Sequence, residues 1–304
     1  MPELPEVQTT TSGLSRVLPE QTIKDVWTDW PKMFHLSQDT VLASEITFHN
    51  FKKALIGAKV ISVSRRGKNI IFILSNGYAF IVHMRMTGHL LYGKYIYKNK
   101  KWIPKEEGPL NDPYNRFIHV VLTLSSGNKM VFCDTRKFGR FDLEKADAIE
   151  HSPRLSHLGP EPLEKTFTLK VFRKRLTLRP RGKIKPVLLD QRTVAGIGNI
   201  YSDEMLWLSG IHPETKIEKL KEGKIKELFV AMQKVLKGGI ESGGDSMSDY
   251  RNILGERGKF QEKHNAYRKT GKKCSKKGCD GIIVRKMVGG RSSHFCSKHQ
   301  KLFK

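Results

Sequence analysis

The residues most suited to metal chemistry lie near the C-terminal end of the 304-residue sequence. Cys274-x4-Cys279 is followed, after sixteen residues, by Cys296-x2-His299. Two ligand pairs flanking short β-rich stretches, at 282–284 and 293–295, suit tetrahedral zinc. A segment this small cannot build its own hydrophobic core, so bound metal has to supply folding energy. His299 completes the set on spacing. His294 competes with it, but two residues before Cys296 on a strand it should point elsewhere. The odd cysteine, Cys133, sits in a strand and reads as a core residue.

A second kind of chemistry is written at the other end, in Met1-Pro2-Glu3-Leu4-Pro5-Glu6. Removal of Met1 would make Pro2 a secondary amine with no side-chain freedom. An α-amino group titrates near ~7.7–8.0, well below the ~10.4 of lysine, so much of it is unprotonated at neutral pH. Such an amine attacks an electrophilic sugar carbon and forms an iminium. Glu3 stands beside it as a general acid or base.

Several turns carry groups suited to a polyanion. Gly289-Gly290-Arg291 presents an arginine at a hairpin tip, where it can fork two hydrogen bonds onto a phosphate. Asn199 opens a helix after Gly196 and Gly198, as an N-cap whose free amides and positive dipole end suit phosphate. Met86 in HMRMTG, with Arg136 and Phe138 in DTRKFG, are the residue types that fill a hole left by an extruded base.

These groups need a scaffold, and the hydrophobic pattern supplies one. Residues 60–63, 69–74, 78–83, 120–124 and 130–133 read as strands, with Ser75-Asn76-Gly77 as a hairpin turn. One helix, from about 3 to 17, precedes them. The polar stretch 94–113 reads as an exposed insertion. Three prolines and a glycine mark 151–163 as a linker. Residues 184–191, 199–209 and 217–236 show apolar positions at helical spacing. The glycine-rich stretch 238–258 reads as a mobile loop.

Composition agrees with such a partner. The sequence carries 55 basic and 30 acidic residues, a net charge of +25, so nucleic acid is the first expectation, with a ribosome-associated or merely basic surface as the alternative. Residues 268–304 hold twelve Lys and Arg against Asp280 alone, nearly half the excess charge in about an eighth of the length. No apolar run approaches a membrane span of ~20 residues, and the polar start is unlike a signal peptide. A reducing cytosol follows, with cysteines as ligands or core residues rather than disulfides.

Taken in order, PELPEV, Arg65-Arg66-Gly67-Lys68, HMRMTG, DTRKFG, LGPEPL, AGIGNIYSDE and GGRSSHFC resemble the bacterial formamidopyrimidine-DNA glycosylases, of the family shared with endonuclease VIII. The resemblance spans essentially the whole chain. It implies an α+β multi-domain fold: an N-terminal antiparallel β-sandwich with a leading helix, a helix-two-turns-helix domain, and a C-terminal β-hairpin zinc finger. The boundaries expected are 1–150 for the catalytic sandwich, 151–166 for a linker, 167–262 for the helical DNA-binding domain and 263–304 for the finger. It implies a bifunctional glycosylase and abasic-site lyase acting on oxidised purines in double-stranded DNA. Pro2 would be the nucleophile, Glu3 the proton donor and acceptor, and Lys68 a phosphate contact that assists. Glu6 would support the site, and Lys185, Asn199 and Arg291 would grip phosphates. Met86, Arg136 and Phe138 would probe the stack, and 245–267 would contain the loop closing over the flipped base. One structural zinc on Cys274, Cys279, Cys296 and His299, a monomer, and a cytoplasmic, nucleoid-associated setting complete the expectation. The family's usual finger has four cysteines with two residues inside each pair, and this sequence departs from it on both counts. An oxidised-pyrimidine glycosylase and a non-catalytic DNA-binding protein are the competing readings. An RNA- or ribosome-binding protein leaves the N-terminal half unexplained.

Overall fold

The computed structural model describes residues 1–36 and 45–304. They form two compact units, and the chain passes through each twice: 1–156 with 242–259, and 157–241 with 260–304.

The first unit begins with α1 (Leu4–Val17), as expected. Its apolar positions Leu4, Val7 and Leu14 recur at three- and seven-residue spacing and are buried. Pro5 lies in the first turn, where its missing N–H leaves no bond unmade. Behind it come β1 (Ile23–Thr28), β2 (Phe34–Leu36), α2 (Glu45–Leu55), β3 (Val60–Arg66), β4 (Asn69–Leu74), β5 (Tyr78–His83) and β6 (His89–Gly93). A small hairpin, β7 (Tyr95–Lys98) and β8 (Lys101–Pro104), precedes β9 (Ile118–Leu124), β10 (Lys129–Cys133) and β11 (Arg140–Lys145). One sheet runs β1-β9-β10-β6 and the other β2-β11-β5-β4-β3. All pairs are antiparallel except β2 with β11.

Strand alternation sorts the side chains. From β9 and β10, Val120, Leu122, Leu124, Met130 and Phe132 enter the main core, while Val121, Val131 and Cys133 face the other way. The main core is aromatic: Phe51 of α2 meets Phe34, Phe80 and Phe141 edge-on, and Phe72 stacks on Phe80 at 4.3 Å. The outer layer is covered by Tyr95, Trp102 and Leu110. Residues 94–113 are largely exposed, as expected, but Tyr95, Trp102 and Leu110 turn inward and form a cover over that layer.

The stretch 238–258 also differs from a free loop. Residues 242–259 are bonded into the first unit: Tyr92 N donates to Ile253 O at 2.7 Å, and Ile253 packs over Gly13.

The second unit holds α3 (Leu169–Thr177), α4 (Ile184–Leu189), α5 (Asn199–Ser209) and α6 (Glu222–Glu241). A 3-10 turn at Ile217–Lys219 breaks the expected helix 217–236. Tyr201, Met205, Leu206, Leu228, Met232 and Leu236 form its core. Strands β12 (Ile283–Val288) and β13 (Arg291–Cys296) pair around Gly289 and Gly290, at φ 57° and 75°, the positive values a two-residue hairpin turn demands. The whole is the α+β arrangement the sequence implied: β-rich unit, helical unit, terminal hairpin. Among the described residues no helix is long and apolar enough to cross a membrane.

Phe51→Ala should cost the first unit about 3–5 kcal/mol, since it takes away the ring that Phe34, Phe80 and Phe141 pack against in a dry core. Urea unfolding followed by tryptophan fluorescence measures this; a midpoint shared with the parent would refute the packing account.

Candidate active site and metal centre

Pro2 is buried immediately before α1, with Met1 exposed ahead of it. Glu3 is the helix N-cap. Its side chain accepts from the Glu6 backbone N–H, and Glu6 returns the bond by accepting from Glu3 N at 2.7 Å. This reciprocal pair fixes the position of residue 2. Glu6 also reaches a distant segment. Its Oε1 accepts from Asp245 N at 2.7 Å, and its carbonyl accepts from the Tyr250 hydroxyl at 3.1 Å. Gly244, at φ 86°, is required there, because a Cβ would stand 2.9 Å from Glu6 Cγ. Burial pushes the Tyr250 phenol up, so it remains a neutral donor. Lys68 lies buried in the tight turn between β3 and β4. Arg65 holds that turn, donating from Nε to Gln8 of α1 at 2.8 Å and from Nη1 to Gly67 O at 2.9 Å. Pro2, Glu3, Glu6 and the Lys68 turn are thus all anchored on one helix.

Met86 and Phe138 are exposed, 39% and 51%, at the tips of two turns. Arg136 lies over the Phe138 ring at 4.5 Å. Asp134, which sequence reasoning missed, joins the two turns. It accepts from Thr87 Oγ1, from Arg136 N at 3.2 Å and from Gly139 N at 2.7 Å. Gly88 and Gly139 close on the Phe132 ring, where a Cβ would meet carbon at 2.4 and 2.3 Å. The aspartate inside DTRKFG, five residues before a glycine, was the available signal. His83 ends β5 nearby. Burial, aided by Arg85, Lys68 and Arg154, lowers it to about 3, so the ring is neutral at working pH. Arg85 N donates to its Nδ1 at 2.9 Å, leaving the ring proton on Nε2.

In the second unit the helix N-cap is Gly198, in extended backbone, and Asn199 is the first helical residue rather than the cap. Its side-chain oxygen is buried with no hydrogen-bond partner among the described residues. Lys185 is fully buried. Its ammonium pairs with Asp203 at 2.6 Å and donates to the Ser292 carbonyl at 2.7 Å, instead of reaching the surface. Asp203 lies one turn beyond Asn199, and Ser292 follows Arg291, so Lys185 ties the start of α5 to the hairpin tip. Arg291 is exposed there. His294 donates from backbone N and ring Nδ1 to Asp203 Oδ2, at 3.0 and 3.1 Å, facing away from the cysteines.

Cys274, Cys279, Cys296 and His299 come together with their ligand atoms all within 4.8 Å of one another. Cys274 Sγ lies 3.2 Å from His299 Nδ1, and Cys279 Sγ lies 3.6 Å from Cys296 Sγ. His299 Nε2 donates to the Trp207 carbonyl at 2.9 Å, which turns the unprotonated Nδ1 toward the sulfurs. Partial burial lowers His299 and favours that neutral ring. Backbone N–H groups of Gly281 and Lys298 reach Cys279 and Cys296 sulfur, both at 3.4 Å, and the bond from Gly281 lowers the Cys279 thiol. These four residues fit a metal ion in their donor set and their anchoring. Cys133 belongs to β10 of the first unit, buried and donating to Asn115 O.

Two family profiles match: the formamidopyrimidine-DNA glycosylase N-terminal domain over residues 1–141, and the formamidopyrimidine-DNA glycosylase H2TH domain over 158–251. The formamidopyrimidine-DNA glycosylase of Desulfitobacterium hafniense is 40% identical over 296 residues, covering 97% of this chain and 98% of that one. The Bacillus subtilis enzyme is 36% identical over 300 residues, covering 99% of each. Among solved structures, Lactococcus lactis Fpg with an abasic site containing DNA aligns at a TM-score of 0.82 and 33% identity, over 98% of this chain and 99% of that one. Wild-type L. lactis Fpg with N7-benzyl-Fapy-dG DNA aligns at 0.82 and 34%, over 99% and 100%.

Metal analysis of the purified protein should give about one zinc per chain. Chelation should open the 283–296 hairpin to amide exchange while the first unit keeps its protection. A hairpin equally protected without metal would sink the metal's structural role.

Proposed function

The chain belongs to the formamidopyrimidine-DNA glycosylase family, and on that premise we propose that it removes oxidised purines from duplex DNA and then cuts the strand. It is a DNA glycosylase of base excision repair; the substrates proposed are 8-oxoguanine and formamidopyrimidines. The head of α1 carries the reading: a buried Pro2, held at a fixed place by the reciprocal Glu3–Glu6 bonds.

The chemistry runs from these residues. Removal of Met1 exposes the Pro2 amine, whose lone pair attacks C1′ of the damaged nucleotide. The bond from C1′ to the base breaks, and the base leaves with its electron pair and a proton. Glu3 serves as the proton donor and acceptor, letting the sugar ring open to an iminium on Pro2. The iminium acidifies the C2′ hydrogens, so loss of one expels the 3′ phosphate. A second elimination expels the 5′ phosphate, leaving a one-nucleotide gap with phosphate ends. Water in place of Pro2 forms no iminium and gives no strand cutting.

The remaining residues hold the substrate. Lys68 contacts phosphate beside the reacting sugar. Met86, Arg136 and Phe138 enter the stack as the base turns out, a step that costs a few kcal/mol of unstacking. Asn199, the amides at the start of α5 and Arg291 hold the backbone, and buried Lys185 keeps those groups at a set spacing. Cys274, Cys279, Cys296 and His299 would hold a zinc ion, which would supply the hairpin with folding energy.

Borohydride should trap the protein covalently on DNA containing 8-oxoguanine opposite cytosine, and Pro2→Gly should abolish trapping. Absence of trapping on both that DNA and abasic DNA removes the lyase reading. Faster excision of thymine glycol than of 8-oxoguanine would move the substrate to oxidised pyrimidines. Arg291→Ala should weaken binding to all sequences alike and reduce the salt slope by about one; a slope equal to the parent's would exclude the phosphate contact.

A further inference from the structure

Residues 94–113 have no assigned part in this chemistry, yet they touch the segment that returns from the second unit's sequence to the first. Gly255, at φ 84°, passes so close that a Cβ on it would stand 2.5 Å from the Pro109 carbonyl oxygen. Beside it, the Arg251 guanidinium is almost wholly buried. It donates from Nε to Asp112 Oδ2 at 3.0 Å and from Nη2 to Oδ1 at 3.1 Å, the two-pronged geometry of a fork on a carboxylate. Its Nη1 donates to the carbonyls of Ser248 and Tyr250, at 3.0 and 2.8 Å. Its flat face lies 4.9 Å from the Tyr114 ring centre. Asp112 is itself fixed, accepting from Tyr114 N at 2.9 Å.

The turn 245–251 is therefore held at both ends. Asp245 N is bonded to Glu6, which also caps the helix behind Pro2. Arg251 is bonded to Asp112. Between these posts Met247 and Ser248 are exposed.

We propose that Asp112 is a positioning residue for damaged-base recognition: through Arg251 it fixes the far end of the 245–251 turn, making segment 94–113 a strut for that turn. The proposal rests on the glycosylase reading, in which 245–267 contains the loop that closes over the extruded base. Asp112 acts only through Arg251 and the turn it holds. Loss of its charge leaves a buried guanidinium without its acid partner, and the turn moves to satisfy it. An abasic site offers no base to hold, so cleavage there does not depend on the turn.

The test uses the full chain lacking Met1, with Asp112→Asn, which keeps the shape, and Arg251→Lys, which keeps the charge but loses the fork. Single-turnover excision of 8-oxoguanine opposite cytosine should slow by about tenfold to a hundredfold, the cost of a small misplacement. Cleavage of abasic DNA should match the parent, which shows the fold intact at the assay temperature even where the melting temperature falls. Excision at the parent rate in Asp112→Asn overturns the proposal, and so does an equal loss in both reactions. A parent that cuts neither substrate overturns the glycosylase reading itself, which separates that failure from this one.

Discussion

Asp203 carries a negative charge into a place water does not reach, and the second unit is arranged to satisfy it. Its carboxylate takes the Lys185 ammonium on one oxygen and two N–H groups of His294 on the other. Lys185 uses a further proton on Ser292 O. Removing one partner of such a pair strands the other without solvent, at a cost of about 3–5 kcal/mol. The constraint has a geometric result. Helix α4, the start of α5 and the hairpin strand β13 are locked to one charge, so Asn199 and Arg291 keep a set separation. Glu204, the next residue, faces another way and accepts from the N–H groups of Asn265, Ala266 and Tyr267. Two consecutive acids on one helix thus fix both the tip and the beginning of the terminal module.

The same division of labour holds in the first unit. In a chain of net charge +25, acids that point inward serve as organisers, and, apart from Lys68, Lys185 and Arg251, the lysines and arginines remain at least partly exposed. Glu6 joins α1, the helix that follows Pro2, to a segment some 240 residues away in sequence. Asp134 joins the Met86 turn to the Arg136–Phe138 turn. Both turns contain a non-glycine residue in left-handed backbone, Arg85 at φ 56° and Lys137 at φ 56°. Such conformations persist where surrounding bonds over-determine them, and Asp134, with the two glycines pressed on Phe132, supplies those bonds. The exposed side chains are presented by a backbone that cannot relax.

How much of this is legible in the sequence follows from how local each interaction is. β4 and β5 are legible to the residue, because alternation and a Ser-Asn-Gly turn act within a few positions. The cluster of three Cys and one His is legible because the spacing of the pairs suits a tetrahedral ion. Cys133 is separable from them by its strand. Residues 94–113 are legible as exposed but not as a cover, because their lysines and prolines outnumber the Tyr95, Trp102 and Leu110 that turn inward. The return of 242–259 to the first unit rests on Glu6, Thr10 and Asp112, partners more than a hundred residues distant, and no window of sequence contains them. Lys185 reads as a surface cation by type; its burial is decided by Asp203 and Ser292. Gly198 displaces Asn199 as the cap by a single residue, a difference in backbone angle that composition does not encode.

The departure of the finger from four cysteines has an electrostatic sense. Three thiolates and a neutral imidazole leave a bound dication with one net negative charge, where four thiolates would leave two. The module around it is strongly basic, and its tip carries Arg291. A less negative centre detracts less from that field near a phosphate. The histidine is also anchored in a way a cysteine would not be. Its second nitrogen donates to the Trp207 carbonyl in α5, and its ring meets Trp207 edge-on at 5.3 Å. A sulfur ligand at 299 has no second donor to reach that carbonyl. The histidine therefore joins the cluster of three cysteines to the helix that carries Asn199 and Asp203.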